Sequence, residues 1–156
     1  MEYANIVRVN SYHLVVGVCF LKEGVIQLNV LAVGIGGFFG ALLRYLMGEW
    51  IHTTNGFPLG TLFINLLGCF FLAWFFTVTT QKWNMNPSIK LAIGTGFTGA
   101  FTTFSTFSVE TLQLINLHQF AFGFLYVLVS VFGGIGLALL GAKLAAGKAQ
   151  QEGESR

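Results

Sequence analysis

The sequence predicts an all-α membrane protein of four transmembrane helices, the third broken near mid-membrane. Three observations carry that expectation. Hydrophobic residues make up 54% of the 156 and charged residues only 9%, against roughly 25% charged in a soluble domain. The charges are confined, so that residues 24–43, 50–81, 91–109 and 111–142 hold no Asp, Glu, Lys or Arg; each run reaches or nearly reaches the roughly 20 residues a helix needs to span a bilayer. Third, GFTGAFTTFSTFS at 96–108 sets Gly, Thr and Ser in the middle of an apolar run. Irregular chain at that depth survives only when buried in protein or lining a cavity, and discontinuous helices build ion and substrate sites.

Residues 1–24 read as an N-terminal extension. The apolar piece from His13 to Leu21 is too short to span, runs at once into Lys22 and Glu23, and is followed by no A-x-A-like cleavage site; it is expected to be cytoplasmic or interfacial, outside a four-helix domain at 25–145. Helix one is expected near 26–48, with Gly36, Gly40 and Arg44 four apart on one face. Small residues at that spacing let another helix approach. Arg44 then serves either as an interfacial anchor that snorkels to headgroups or as part of an anion-attracting vestibule.

The Asn55-Gly56 turn leads to helix two near 58–80, which Pro58 can begin because its missing N–H is not needed in the first turn. Thr61, Asn65 and Gly68 share a face at i, i+4 and i+7. The Asn65 amide must be hydrogen-bonded at mid-membrane depth, either clasping another helix or offering its N–H groups to an anion. Helix three, near 89–116, follows Asn84, Asn86 and Pro87 and carries the break. Glu110 is the only acid within the four spans, and its position just past the break suits a vestibule or capping role. Helix four, near 119–143, aligns Tyr126, Ser130 and Gly134, a possible polar track unless Ser130 bonds its own backbone. Residues 146–156 read as a polar, frayed tail. Cys19 and Cys69 signal neither a disulfide framework nor a metal site.

GGFFGALLRY from Gly36, PLGTLFINLLGCF from Pro58 and GFTGAFTTFSTFSVE from Gly96 together closely resemble the CrcB/Fluc fluoride channels, from about Val25 into helix four. The third block is highly specific; the first two would be weak alone. The resemblance implies a bacterial cell-membrane channel, not an enzyme, that assembles as an antiparallel dimer and lets toxic fluoride leave the cytoplasm passively. By motif position Asn65, Phe104 and Phe107 would line the fluoride path, with Arg44 near its entrance and Tyr126 and Ser130 along the polar track. Gly99 and Thr102 would give backbone carbonyls to a structural sodium ion shared by two subunits, and Thr61, Thr106 and Glu110 are further candidates.

The residues suit that chemistry. Fluoride is small and strongly hydrated, so a pore must replace its water with donors such as amide and hydroxyl groups. Phe104 and Phe107 lie three apart, and a ring edge is the positive side of the aromatic quadrupole; paired Phe in a membrane helix more often simply pack. Carbonyls freed by a break are hard oxygen ligands, and a two-fold axis would double their number. Alternatively, Gly96 and Gly99 only permit close packing. Among other functions, a proton-coupled four-helix exporter would need an intramembrane acid that helix one lacks, and a purely structural membrane protein stays open. No enzyme pattern is present, since His13, His52 and His118 are isolated. No nucleic-acid partner is signalled; membrane lipid is.

Four spans put both termini and the loop between helices two and three on one side. That side collects Arg8, Lys22, Lys82, Lys90, Lys143, Lys148 and Arg156, whereas the other has only Arg44. Such asymmetry favours a single orientation with both termini inside. An antiparallel dimer would then need a homologous second subunit of opposite bias.

Overall fold

The computed structural model describes the backbone of residues 2–51, 56–81 and 83–154, and the side chains of 26–51, 56–81 and 83–147. His52, Asn55 and Lys82 lie outside the described residues, as do the side chains of Cys19 and the rest of the extension. Within these limits the chain is all-helical, without strands: α1 Glu2–Trp50, α2 Leu59–Gln81, α3 Pro87–Leu91, a π-helical run Ala92–Phe97, α4 Thr98–Phe101, α5 Phe104–Asn116 and α6 Phe120–Glu154. Among the described residues, three stretches are long and apolar enough to cross a membrane: Ile26–Trp50, Leu59–Gln81 and Phe120–Gly147.

Two boundaries differ from expectation. Helix one does not start near residue 26, because α1 is continuous from Glu2. Lys22 and Glu23 mark the edge of the apolar stretch rather than the end of the helix, and no proline intervenes to stop it. The expected frayed tail is likewise helical, since α6 runs to Glu154; Ala, Lys, Gln and Glu are all good helix formers.

The segment from Pro87 to Asn116 is interrupted as its composition predicts. Asn86 caps its start, accepting a hydrogen bond from the Ser88 N–H at 2.9 Å, with Pro87 in the first turn. The chain leaves helical geometry at Thr102 (φ −80°, ψ 158°) and Thr103 (φ −146°, ψ 122°). It re-enters at α5, where the Thr103 hydroxyl oxygen accepts from the Thr106 N–H at 3.2 Å, a side-chain N-cap.

Packing follows from small residues. α1 lies against the π-helical run and α4, while α2 pairs with α6. A Cβ at Gly36 would collide with the Ala92 carbonyl and one at Gly40 with the Phe97 carbonyl, so α1 approaches backbone to backbone through the predicted face. Ser88 reinforces this contact by donating to the Asn29 amide oxygen at 2.7 Å. Few large apolar side chains are buried among the described residues. Leu62, Leu114 and Tyr126 form the core between α2, α5 and α6, and much of the remaining apolar surface faces outward, as a lipid-facing protein requires.

Candidate functional site

Asn65 on α2 binds the break at both ends of one residue. Its Nδ2 donates to the Thr103 carbonyl at 2.9 Å, and its Oδ1 accepts from the Thr103 N–H at 2.8 Å. Thr103 is only 8% exposed, so without this clasp two backbone groups would be buried unpaired. The amide thus joins two helices, and one of its two N–H groups has no partner among the described residues.

The break also leaves acceptors. In an unbroken helix the Gly99 carbonyl would accept from the Thr103 N–H and that of Thr102 from the Thr106 N–H. Both donors are diverted, the first to Asn65 and the second to the Thr103 hydroxyl. Oxygen of this kind is the ligand a hard cation takes.

Two clefts meet at Thr103. The first, about 350 Å³, is lined by Asn65, Gly99, Thr102, Phe104, Phe107 and Ser130, with Cys69 and Leu72 among its other walls. The second, about 300 Å³, is lined by Arg44, Thr61, Thr106 and Glu110. Thr103 belongs to both. In the first, the Phe104 and Phe107 rings are tilted at 39° with centroids 5.8 Å apart, and Phe104 is 80% exposed. The Ser130 hydroxyl has no hydrogen-bond partner among the described residues, its own backbone included.

Tyr126 does not reach either cleft wall. It is fully buried, its ring packed on Phe107 at 5.1 Å and Phe57 at 5.7 Å. Its hydroxyl donates to Glu110 Oε2 at 2.7 Å, while the Thr61 hydroxyl donates to Oε1 at 2.8 Å. Both carboxylate oxygens of Glu110, the acid that follows the break on α5, are therefore held. Thr103 is the residue that sequence reasoning undervalued. Its signal was a threonine three residues before another hydroxyl at the resumption of an apolar helix.

These features define a multi-pass α-helical membrane protein built round a discontinuous helix, the class in which helix breaks form ion and substrate sites. The chain belongs to the CrcB family: the model described as CrcB-like protein, Camphor Resistance (CrcB) matches residues 31–142. Among similar proteins, the fluoride-specific ion channel FluC of Oceanobacillus iheyensis is 51% identical over 117 residues, covering 75% of this chain and 91% of the relative. FluC 1 of Bacillus cereus is 51% identical over 120 residues, covering 76% and 88%. FluC 2 of Geobacillus kaustophilus is 47% identical over 107 residues, covering 67% and 83%.

Proposed function

We propose that this chain forms a passive fluoride-selective channel of the bacterial cell membrane that exports cytoplasmic fluoride and so lowers its toxicity. The observation that carries the reading is the gathering of Asn65, Phe104, Phe107 and Ser130 on one cleft beside the helix break, in a chain about half identical to proteins named fluoride-specific channels. The cleft offers an amide N–H, a hydroxyl and ring edges. Donors of this kind replace hydration water, and a ring edge contacts an anion without a fixed charge that would hold it. Arg44 in the second cleft attracts anions toward the pathway, with Thr61, Thr106 and Glu110 shaping its wall. Tyr126 acts through Glu110 rather than by touching the ion.

In this reading the interrupted segment Pro87–Asn116 is the third of four crossings. The functional unit is an antiparallel dimer in lipid, consistent with the outward-facing Phe104. A structural sodium ion would be held by the Gly99 and Thr102 carbonyls of both subunits; it supplies fixed positive charge at the centre and is not transported. The charge asymmetry supports a dimer with a homologous second chain of opposite orientation. Engagement of both Glu110 oxygens supports a channel over a proton-coupled exporter, whose acid must exchange protons with its substrate.

Fluoride and chloride efflux from liposomes is the test, with the chain reconstituted alone and together with a homologous subunit of opposite bias. Fluoride flux with chloride retained is expected in at least one preparation. No fluoride flux in either, or equal passage of chloride, overturns the proposal.

A further inference from the structure

We infer that Asn65, seated by Gly68, is the positioning residue that aims the Thr102 carbonyl and frees the Gly99 carbonyl of the cation site; the inference rests on the sodium reading above. The Thr102 C=O and the Thr103 N–H are the two ends of one peptide group. No described peptide is cis, and in a planar trans peptide these two bonds point in opposite directions. By fixing the Thr103 N–H at 2.8 Å, Asn65 turns the Thr102 carbonyl away from itself. The same bond removes the helical donor of the Gly99 carbonyl. A single acceptor oxygen on α2 thus aims one ligand and frees the other.

Gly68 governs how closely Asn65 can approach. It lies three residues on, on the neighbouring part of the same helical face, and is buried. A Cβ there would overlap Cγ2 of Thr102, with the Phe101 ring 3.7 Å from the same point. The Thr102 methyl occupies the space that glycine leaves, while its hydroxyl donates to the Thr98 carbonyl at 3.0 Å. Thr102 is therefore tethered by its hydroxyl and seated by its methyl, next to the residue that Asn65 clasps. Because turning that methyl aside would break the hydroxyl's bond to Thr98, a side chain at 68 is expected to push Thr102 off α2 and draw the Thr103 N–H away from Asn65.

The relation is testable because the collision is reciprocal: Thr102→Ser deletes the methyl that a Cβ at 68 would strike and keeps the hydroxyl. The purified assembly is titrated with sodium chloride against choline chloride, without fluoride. Thermal midpoint gives the half-saturating sodium concentration, and hydrogen exchange follows the Thr103 amide. Gly68→Ala is expected to raise half-saturation by about tenfold to a hundredfold, the usual range when a residue supporting metal ligands is lost, and to deprotect Thr103. Gly68→Ala with Thr102→Ser is expected to recover both. Asn65→Ser, which withdraws the acceptor without adding bulk, is expected to lose both, and this second variant decides the matter if Gly68→Ala does not fold. Wild-type half-saturation in Gly68→Ala or Asn65→Ser, or no recovery in the double variant, overturns the inference while leaving the sodium reading standing. Absence of any sodium response in the wild type removes that reading, and the inference with it.

Discussion

Replacing Asn65 by Leu keeps roughly the side-chain volume and removes both bonds of the clasp, so its effect measures what the break needs to remain stable. Thr103, only 8% exposed, would keep an N–H and a C=O without protein partners. At about 1–3 kcal/mol for each buried unsatisfied group the loss would reach about 2–6 kcal/mol. Hydrogen bonds between membrane helices average nearer 0.6 kcal/mol each, about 1.2 kcal/mol for two. The clefts on either side of Thr103 let water reach the freed groups, which favours the lower figure. The expected destabilisation is therefore about 1–3 kcal/mol. It is measured by reversible unfolding in lipid–detergent micelles titrated with a denaturing detergent, followed by tryptophan fluorescence. Ser108→Ala is the control, because that hydroxyl bonds only the Phe104 carbonyl of its own helix at 2.9 Å and should change stability by less than about 0.5 kcal/mol. An Asn65→Leu protein as stable as the control would refute the view that the clasp holds the break together.

Phe104→Ile and Phe107→Ile should each impair fluoride flux with assembly intact, since Ile fills space but has no positive ring edge; wild-type flux in both would make the rings packing residues. Only Phe107→Ile should also lower stability, by about 1 kcal/mol, because its ring packs on Tyr126. Tyr126→Phe should cost about 1–3 kcal/mol in the same unfolding assay by leaving Glu110 Oε2 without its donor, with the aromatic packing retained; no loss would show that the hydroxyl does not hold Glu110. Reporter fusions at the C-terminus should report one orientation, with the C-terminus inside; substantial populations facing both ways would remove the need for an oppositely oriented partner.

The break was legible because its residue types contradict their surroundings: glycines, threonines and serines inside an apolar run have few explanations other than a local site. The glycine face of α1 was legible for a similar reason, as four-residue spacing survives translation into a helix. What Asn65 does was not. Its partner, Thr103, is 38 positions away, and an amide has the same sequence signature whether it clasps backbone or faces an ion. Tyr126 and Ser130 share a face in sequence, yet the packing of α5 against α6 buries the first among aromatic rings and leaves the second on the cleft. The ends of α1 and α6 were misplaced because charge was read as a helix terminator, whereas charge limits the apolar stretch and leaves backbone geometry untouched.

The π-helical run determines how this chain can change length. The carbonyls that abut Gly36 and Gly40 belong to Ala92 and Phe97, a step of four on α1 facing a step of five on its neighbour. In an ordinary α-helix, positions five apart point about 140° away from each other; i to i+5 bonding returns them to one side. Deleting one residue between Ala92 and Phe97 would restore standard winding and a smooth helix, but it would swing one of the two carbonyls off the glycine row. The wide turn is therefore a gear ratio between two helices of unequal tooth spacing, and only a matched change on α1 can accompany its loss.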